Sequence, residues 1–272
     1  MSEQLLSNQT LSETETKLAD ALFNAYTTHK PLKEEDFKGV VSDEAASYRV
    51  QRRLTELKNE EVGGYKVSLT SKQTQDMFDS DCPLYGAQLK SHFVKSAHTV
   101  EANDVMEPLA EVEMMFTAKE DLKSTDSLDD LFHKTQVAAA VEVPDSRFSD
   151  WFPSLSKYMV MSDAAVGGYV VYGEEMDTDK LFNAPDDLAD VHCELFHDGK
   201  KLKDGASSEV LGNPLNSLQW LVKKLEDQGM PLKAGQRVSS GTFLLPESLT
   251  KGDWKATFDK GMGAVFLHVN RK

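Results

Sequence analysis

In EPLAEVEMMF, residues 107–116, Glu111 and Glu113 stand one residue apart in an otherwise apolar stretch, and Glu142 interrupts a second apolar run, VAAAVEV. On an extended strand, side chains two apart project to the same face, so Glu111 and Glu113 stand together while Val112 and Met114 point the other way. Two like charges on one face repel each other unless something cationic lies between them. An edge strand with a solvated face is one reading of the pair. Glu142 demands more, because stripping the water from a carboxylate in so apolar a strand costs several kcal/mol unless it is paired. Its partner is either a salt-bridging side chain, with Arg147 the available one, or a cation shared with Glu111 and Glu113. Three carboxylates, with water completing the shell, form the all-oxygen set that a hard divalent ion such as Mg2+ or Mn2+ prefers.

These residues must be held by a framework whose elements are visible in the pattern. Ser12 and Glu15 have capping-box spacing, and Leu18, Leu22, Ala25 and Tyr26 follow on one helical face, with the helix expected to stop near Pro31. A second helix is expected from Asp43, carrying Ala46, Val50, Leu54 and Leu57 at helical spacing and Gln51, Arg52 and Arg53 near its middle. The pair Gly63–Gly64 marks the end of this region. Beyond it the short apolar runs VAAAVEV, YMVM and AVFLHV, bounded by Gly, Pro, Asp and Ser, have the form of buried strands. One more helix is expected from Pro214 to Gln228, closed by Gly229, and the polar segment from Lys119 to Asp130 reads as a solvated loop with a short helix. The organisation expected is a helical region over 1–62 and a strand-rich catalytic domain over 63–272.

Composition removes several classes of function. The chain has 272 residues, 40% hydrophobic and 28% charged, which is globular rather than disordered. Forty-five acidic against 30 basic residues give a net charge of -15, which repels a phosphate backbone, so nucleic acid is not an expected partner. There is no signal-like apolar segment and no run long enough to cross a bilayer, so no membrane partner and a cytoplasmic location are expected. Two cysteines, Cys82 and Cys193, argue against both a disulfide framework and a cysteine-built zinc site. His192 and His197 flank Cys193 without metal-ligand spacing, and GASSEV (205–210) lacks the glycine spacing of a phosphate loop.

An ordered series of segments carries a family resemblance: GYKVSLTSKQTQDMFDSDCPLYG, AEVEMMF, VEVPDSRFSDW, SDAAVGGYVVYGE, VLGNPLNSLQWLVKKLEDQGMPLKAGQRVSSGTFLLP and KGDWKATFDKGMGAVFLHV. Together they resemble the fumarylacetoacetate hydrolase superfamily, and within it the 2-oxopent-4-enoate hydratase and 4-oxalocrotonate decarboxylase branch, from the second helix nearly to the C-terminus. The resemblance implies an α+β fold with a mixed, strongly curved β-roll core preceded by helices, and a homo-oligomer. It implies Mg2+ or Mn2+ held by three acidic side chains, which fall on Glu111, Glu113 and Glu142. The active-site lysine falls on Lys66 and a catalytic aspartate on Asp81, with Leu84, Val166 and Thr242 at substrate-contacting positions. The implied activity is that of a metal-dependent lyase acting on a small 2-oxo acid, hydrating or decarboxylating it through an enolate that the metal stabilises.

Two departures bear on substrate. Where the branch reads Asp-Asn-Ala-Ser, this chain has Asp163, Ala164, Ala165 and Val166, and an aspartate often found in the Lys66 segment is here Leu84. An amide, a hydroxyl and a carboxylate are thereby lost from the expected wall. Two other readings stay open: an acylpyruvate-type carbon-carbon hydrolase, for which His29 would be the basic residue in the front helices, and a catalytically silent member that binds metal and oxo acid.

Overall fold

The computed structural model describes residues 10–270. In chain order the elements are α1 (Glu13–Thr28), α2 (Glu44–Lys58), β1 (Val62–Ser68), α3 (Lys72–Met77), β2 (Leu84–Leu89), β3 (Phe93–Lys95), β4 (His98–Glu101), β5 (Leu109–Ala118), α4 (Leu128–His133), β6 (Thr135–Val143), α5 (Lys157–Ser162), β7 (Tyr169–Tyr172), β8 (Met176–Asp177), α6 (Thr178–Leu181), β9 (His192–His197), β10 (Lys200–Ala206), α7 (Pro214–Asp227), β11 (Arg237–Thr242), β12 (Glu247–Ser248), β13 (Gly252–Phe258) and β14 (Gly263–Asn270). The fold is α+β, with a curled, half-barrel mixed sheet behind two N-terminal helices. Among the described residues no helix is long and apolar enough to cross a membrane.

The helical front forms as its caps dictate. Ser12 Oγ accepts from Glu15 N while Glu15 Oε2 accepts from Ser12 N, and the same Glu15 carboxylate binds Arg49 Nη2 at 2.5 Å, fastening α1 to α2. On α2, buried Gln51 stitches the helix to the sheet: its amide nitrogen donates to the carbonyls of Tyr85 and Met161, and its oxygen accepts from Ala87 N. YMVM is not a strand. It lies in α5, started by Ser156, whose hydroxyl accepts from Tyr158 N; an apolar run this short has no periodicity that separates helix from strand.

The larger sheet runs β2-β1-β11-β5-β6-β7-β3, with β12 and β8 attached at its margins. Strand β5 is therefore interior, between β11 and β6, and the edge-strand reading of Glu111 and Glu113 is overturned. Its partner β11 lies far along the chain, beyond the reach of any local pattern. The Gly63–Gly64 pair sits inside β1 rather than at a break: a Cβ on Gly64 would stand 1.9 Å from the carbonyl oxygen of Arg237 on the neighbouring β11. On β5, Val112, Met114 and Phe116 face the main core, which they share with β13, β14 and α7. The second sheet, β10-β9-β13-β14-β4, supplies the opposing layer. A separate apolar cluster joins α1 and α2 to Leu69, Leu84, Trp151, α5 and Val166.

The turn after α5 is conformationally costly. Ala164, Ala165 and Val166 all adopt left-handed backbone, with φ of 52°, 54° and 51°, a region that costs a non-glycine residue roughly 1–2 kcal/mol each. A buried ion pair holds it in place. Asp163 Oδ1 accepts from Arg147 Nε at 2.6 Å and Oδ2 from Arg147 N at 2.8 Å, while Arg147 Nη1 donates to the carbonyl of Gly167. Arg147→Ala is expected to lower stability by about 3–5 kcal/mol, because it leaves the Asp163 carboxylate buried and unpaired; urea denaturation measures this, and a loss within a few tenths of a kcal/mol of zero would show the turn to be self-supporting.

Candidate active site

The register of the central strands assembles the acidic cluster. Glu111 on β5 lies directly across from Glu142 on β6, and Glu113 is opposite Ala140, whose small side chain leaves room on that face. One ligand-capable oxygen from each of Glu111, Glu113 and Glu142 lies within 4.8 Å of the others, and among the described residues this is the only such gathering of acidic, histidine or cysteine side chains. Glu113 and Glu142 are 1% exposed, whereas Glu111 has a side chain 16% exposed toward the adjoining cavity.

Lys66 enters this cluster from β1. It is 1% exposed, forms an ion pair with Glu142, and lies 4.0 Å from Glu111. Arg147, the alternative partner for Glu142, is bound to Asp163 instead. Beyond the Lys66 contact, neither oxygen of Glu142 has a hydrogen-bond partner. Three carboxylates against one ammonium leave two uncompensated negative charges when all are ionised. Burial, together with repulsion from Glu142, raises the Glu111 carboxyl to about 7 despite the attraction of Lys66. Glu113 is raised well above the carboxylate range by burial and by its two acidic neighbours, with Lys66 and a Ser239 hydrogen bond opposing. For Lys66 burial acts to lower the pKa, but the attraction of Glu142, then Glu111 and Glu113, prevails and holds it above the ordinary lysine range.

Strand β11 supplies supports that the pattern did not expose. Ser239 Oγ donates to Glu113 Oε2 at 2.5 Å, and Gly241 N donates to the same oxygen at 2.9 Å. Register slips between Ser239 and Thr242, so three residues of β11 span what two would on a regular strand. This bulge aims both Ser239 and Gly241 at Glu113, whereas simple alternation from Thr242 would turn Ser239 away. Gly241 has φ of 116°, and a Cβ there would lie 2.2 Å from Thr70 Oγ1. The only local signal of this arrangement is the glycine inside VSSGT.

The other expected positions divide. Val166 and Thr242 line the cavity that contains Lys66, Glu111 and Glu113. The Thr242 hydroxyl is engaged, donating to the carbonyl of Leu244 at 2.7 Å. Leu84 is buried in the apolar cluster with Leu69 and Val166 and does not line the cavity. Asp81 is exposed in the turn before β2 and also lies outside the lining. His29 lines a different cavity, with Tyr26 and His92. A larger cavity, about 590 Å³, is lined by Tyr48, Tyr65 and Tyr85 and lies on the face of β1 opposite Lys66.

A scan against models of protein families finds no match. The chain is 30% identical over 255 residues to a 2-hydroxyhexa-2,4-dienoate hydratase of Comamonas testosteroni, covering 92% of this chain and 94% of the relative. It belongs to the hydratase and decarboxylase branch of the fumarylacetoacetate hydrolase superfamily. The branch fold extends to a 4-oxalocrotonate decarboxylase from Pseudomonas putida G7, solved with magnesium and adipate: TM-score 0.84, 24% identity, covering 96% of this chain and all of that one. A fumarylpyruvate hydrolase from Pseudomonas aeruginosa, solved with Mn2+ and pyruvate, shares the core fold at TM-score 0.59 and 12% identity, over 76% of this chain and 89% of that one. This chain is accordingly an enzyme of the hydratase and decarboxylase family.

In this enzyme the raised Glu111 carboxyl sets a pH dependence. With a folded value of about 7 against an unfolded 4.5, the folded chain holds a proton between these values that the unfolded chain has released. Its contribution is full below 4.5 and falls as pH rises to 7, by up to about 3 kcal/mol. With a chelator present, the wild type should lose stability relative to Glu111→Gln across pH 4.5–7; parallel pH profiles for the two proteins would contradict the assignment.

Proposed function

We propose that the enzyme is a divalent-metal-dependent lyase acting on a 2-oxo acid, a hydratase of 2-hydroxy-2,4-dienoates or a decarboxylase of 2-oxo diacids, in which Glu111, Glu113 and Glu142 hold Mg2+ or Mn2+. The observation that carries this reading is the cross-strand trio itself. It offers three hard oxygen donors, two negative charges beyond what Lys66 neutralises, and a Glu142 with no hydrogen bond outside the Lys66 pair. Such a donor set suits a small hard cation. When bound, that cation supplies the positive charge that attracts the carboxylate and keto oxygens of a 2-oxo acid and lowers the cost of its enolate.

The chain's own residues do the rest. Ser239 and Gly241 fix Glu113 through two hydrogen bonds, so that carboxylate is already oriented before any ligand arrives. Lys66 keeps its proton on Nζ within the cluster and is placed to orient an anionic substrate or to give that proton to a carbanionic carbon. The cavity beside it is narrow, about 40 Å³, with Lys66, Glu111 and Glu113 at one end and the apolar side chains of Leu69, Val160 and Val166 along its wall. Asp81, exposed and outside the lining, is assigned no step. The carbon-carbon hydrolase reading gains nothing from His29, which faces another cavity. The proposal includes a helical region over 1–62 before a catalytic domain over 63–272, of which residues 1–9 and 271–272 lie outside the described residues, and a homo-oligomer, for which the exposed Phe266 and Leu202 on the second sheet offer apolar surface.

Addition of Mn2+ or Mg2+ should raise the melting temperature of the wild type and leave Glu142→Gln unmoved, with the increment growing from pH 5 to 7.5 as protons compete less for Glu111. Lys66→Ala should retain a metal-induced shift yet lose about 10²–10⁴-fold in turnover of a 2-hydroxy-2,4-dienoate, followed by diene absorbance. Undiminished turnover in that variant would remove Lys66 from the mechanism.

A further inference from the structure

Resting on the reading of a 2-oxo acid at the acidic cluster, we infer that the substrate carries a single carboxylate and ends in a short, uncharged apolar tail, and that Phe152 and Trp151 set the length of that tail. The inference comes from the charges lining the cavity. Its one cationic lining residue is Lys66, which sits at the acidic end in an ion pair with Glu142. Apart from the hydroxyls of Ser68, Thr70, Thr74 and Thr242, the remaining wall is apolar: Leu69, Val160 and Val166 are 7%, 3% and 4% exposed, and Phe78, Trp151 and Phe152 lie beside them.

A second carboxylate at that end would lose its water and meet no cation. Arg147 offers none, because it is bound to Asp163 and the Gly167 carbonyl and opens on the cavity of His29 and His92. Of the wall's hydroxyls, those of Thr74 and Thr242 donate to the carbonyls of Ser71 and Leu244, and those of Ser68 and Thr70 bring no positive charge. Val166 adds a hydrocarbon side chain to this wall, on a left-handed turn held by Asp163.

The far boundary is aromatic. Trp151 is fixed by its indole N–H, which donates to the carbonyl of Glu107 at 2.9 Å. Phe152 meets Trp151 edge-on at 5.5 Å between centroids and Phe78 at 6.3 Å. Trp151 and Phe152 also line an outer groove of about 460 Å³, with Leu109 and Leu249. They are thus the partition between the inner cavity and that groove, and removing the Phe152 ring joins the two.

The test uses the full-length protein loaded with Mn2+. Binding of 2-oxopentanoate and of 2-oxohexanedioate is measured by thermal shift and competition, and turnover is compared for 2-hydroxyhexa-2,4-dienoate and its counterpart ending in a carboxylate. The monoacid should be favoured by at least about 100-fold in both readouts. Phe152→Ala should improve binding of 2-oxooctanoate relative to 2-oxopentanoate by about 10-fold while keeping the Mn2+-induced melting shift. Val166→Arg, by adding a cation to the wall, should narrow the preference against the diacid. Equal or tighter diacid binding by the wild type overturns the inference alone, as does an unchanged length preference in Phe152→Ala. Binding of neither acid by the Mn2+-loaded protein overturns the reading of the acidic cluster and the inference with it.

Discussion

Three carboxylates and one ammonium, shut away from water on the central strands, form the arrangement that the rest of the structure has to accommodate. Glu113, Glu142 and Lys66 are each 1% exposed. An apolar interior does not tolerate two uncompensated charges, so the chain must either keep protons on Glu111 and Glu113 or take up a cation. Other features follow from this. Alanines opposite Glu113 and Met115 leave space on the acidic face, a bulge on β11 directs two donors at one carboxylate oxygen, and Arg147 is kept away from Glu142 by a competing partner.

How much of this could be read from the chain depended on the range of the interactions involved. The caps of α1, α2 and α7 are local chemistry and formed where Ser12, Asp43 and Asn213 place them. The three glutamates stood out because charge in an apolar run is an anomaly within a few residues. Their neighbours did not. Whether β5 was edge or interior depended on β11, which follows it by more than a hundred residues, and the choice between Lys66 and Arg147 for Glu142 depended on where Asp163 falls. YMVM was misjudged because four apolar residues fit either element. The cavity wall draws Leu69, Phe78, Trp151, Val160 and Val166 from four separate segments, and none is unusual in its own context.

Glu111, Glu113, Glu142 and Lys66 meet from strands β5, β6 and β1 of one sheet. Ala164 and Val166, where the resemblance implied an amide and a hydroxyl, lie on left-handed backbone, a region that asparagine tolerates better than alanine does.

The left-handed backbone of the Ala164–Val166 turn is less costly for asparagine than for a β-branched residue such as Val166. Because Arg147 and Asp163 already hold that backbone, exchanging Val166 for an unbranched residue would alter the chemistry facing the ligand without adding to the cost of folding. The acidic cluster on β5 and β6 has no such freedom, because its spacing is fixed by strand pairing. A chain built this way can wander among substrates across generations while its electrostatic centre stays where it was.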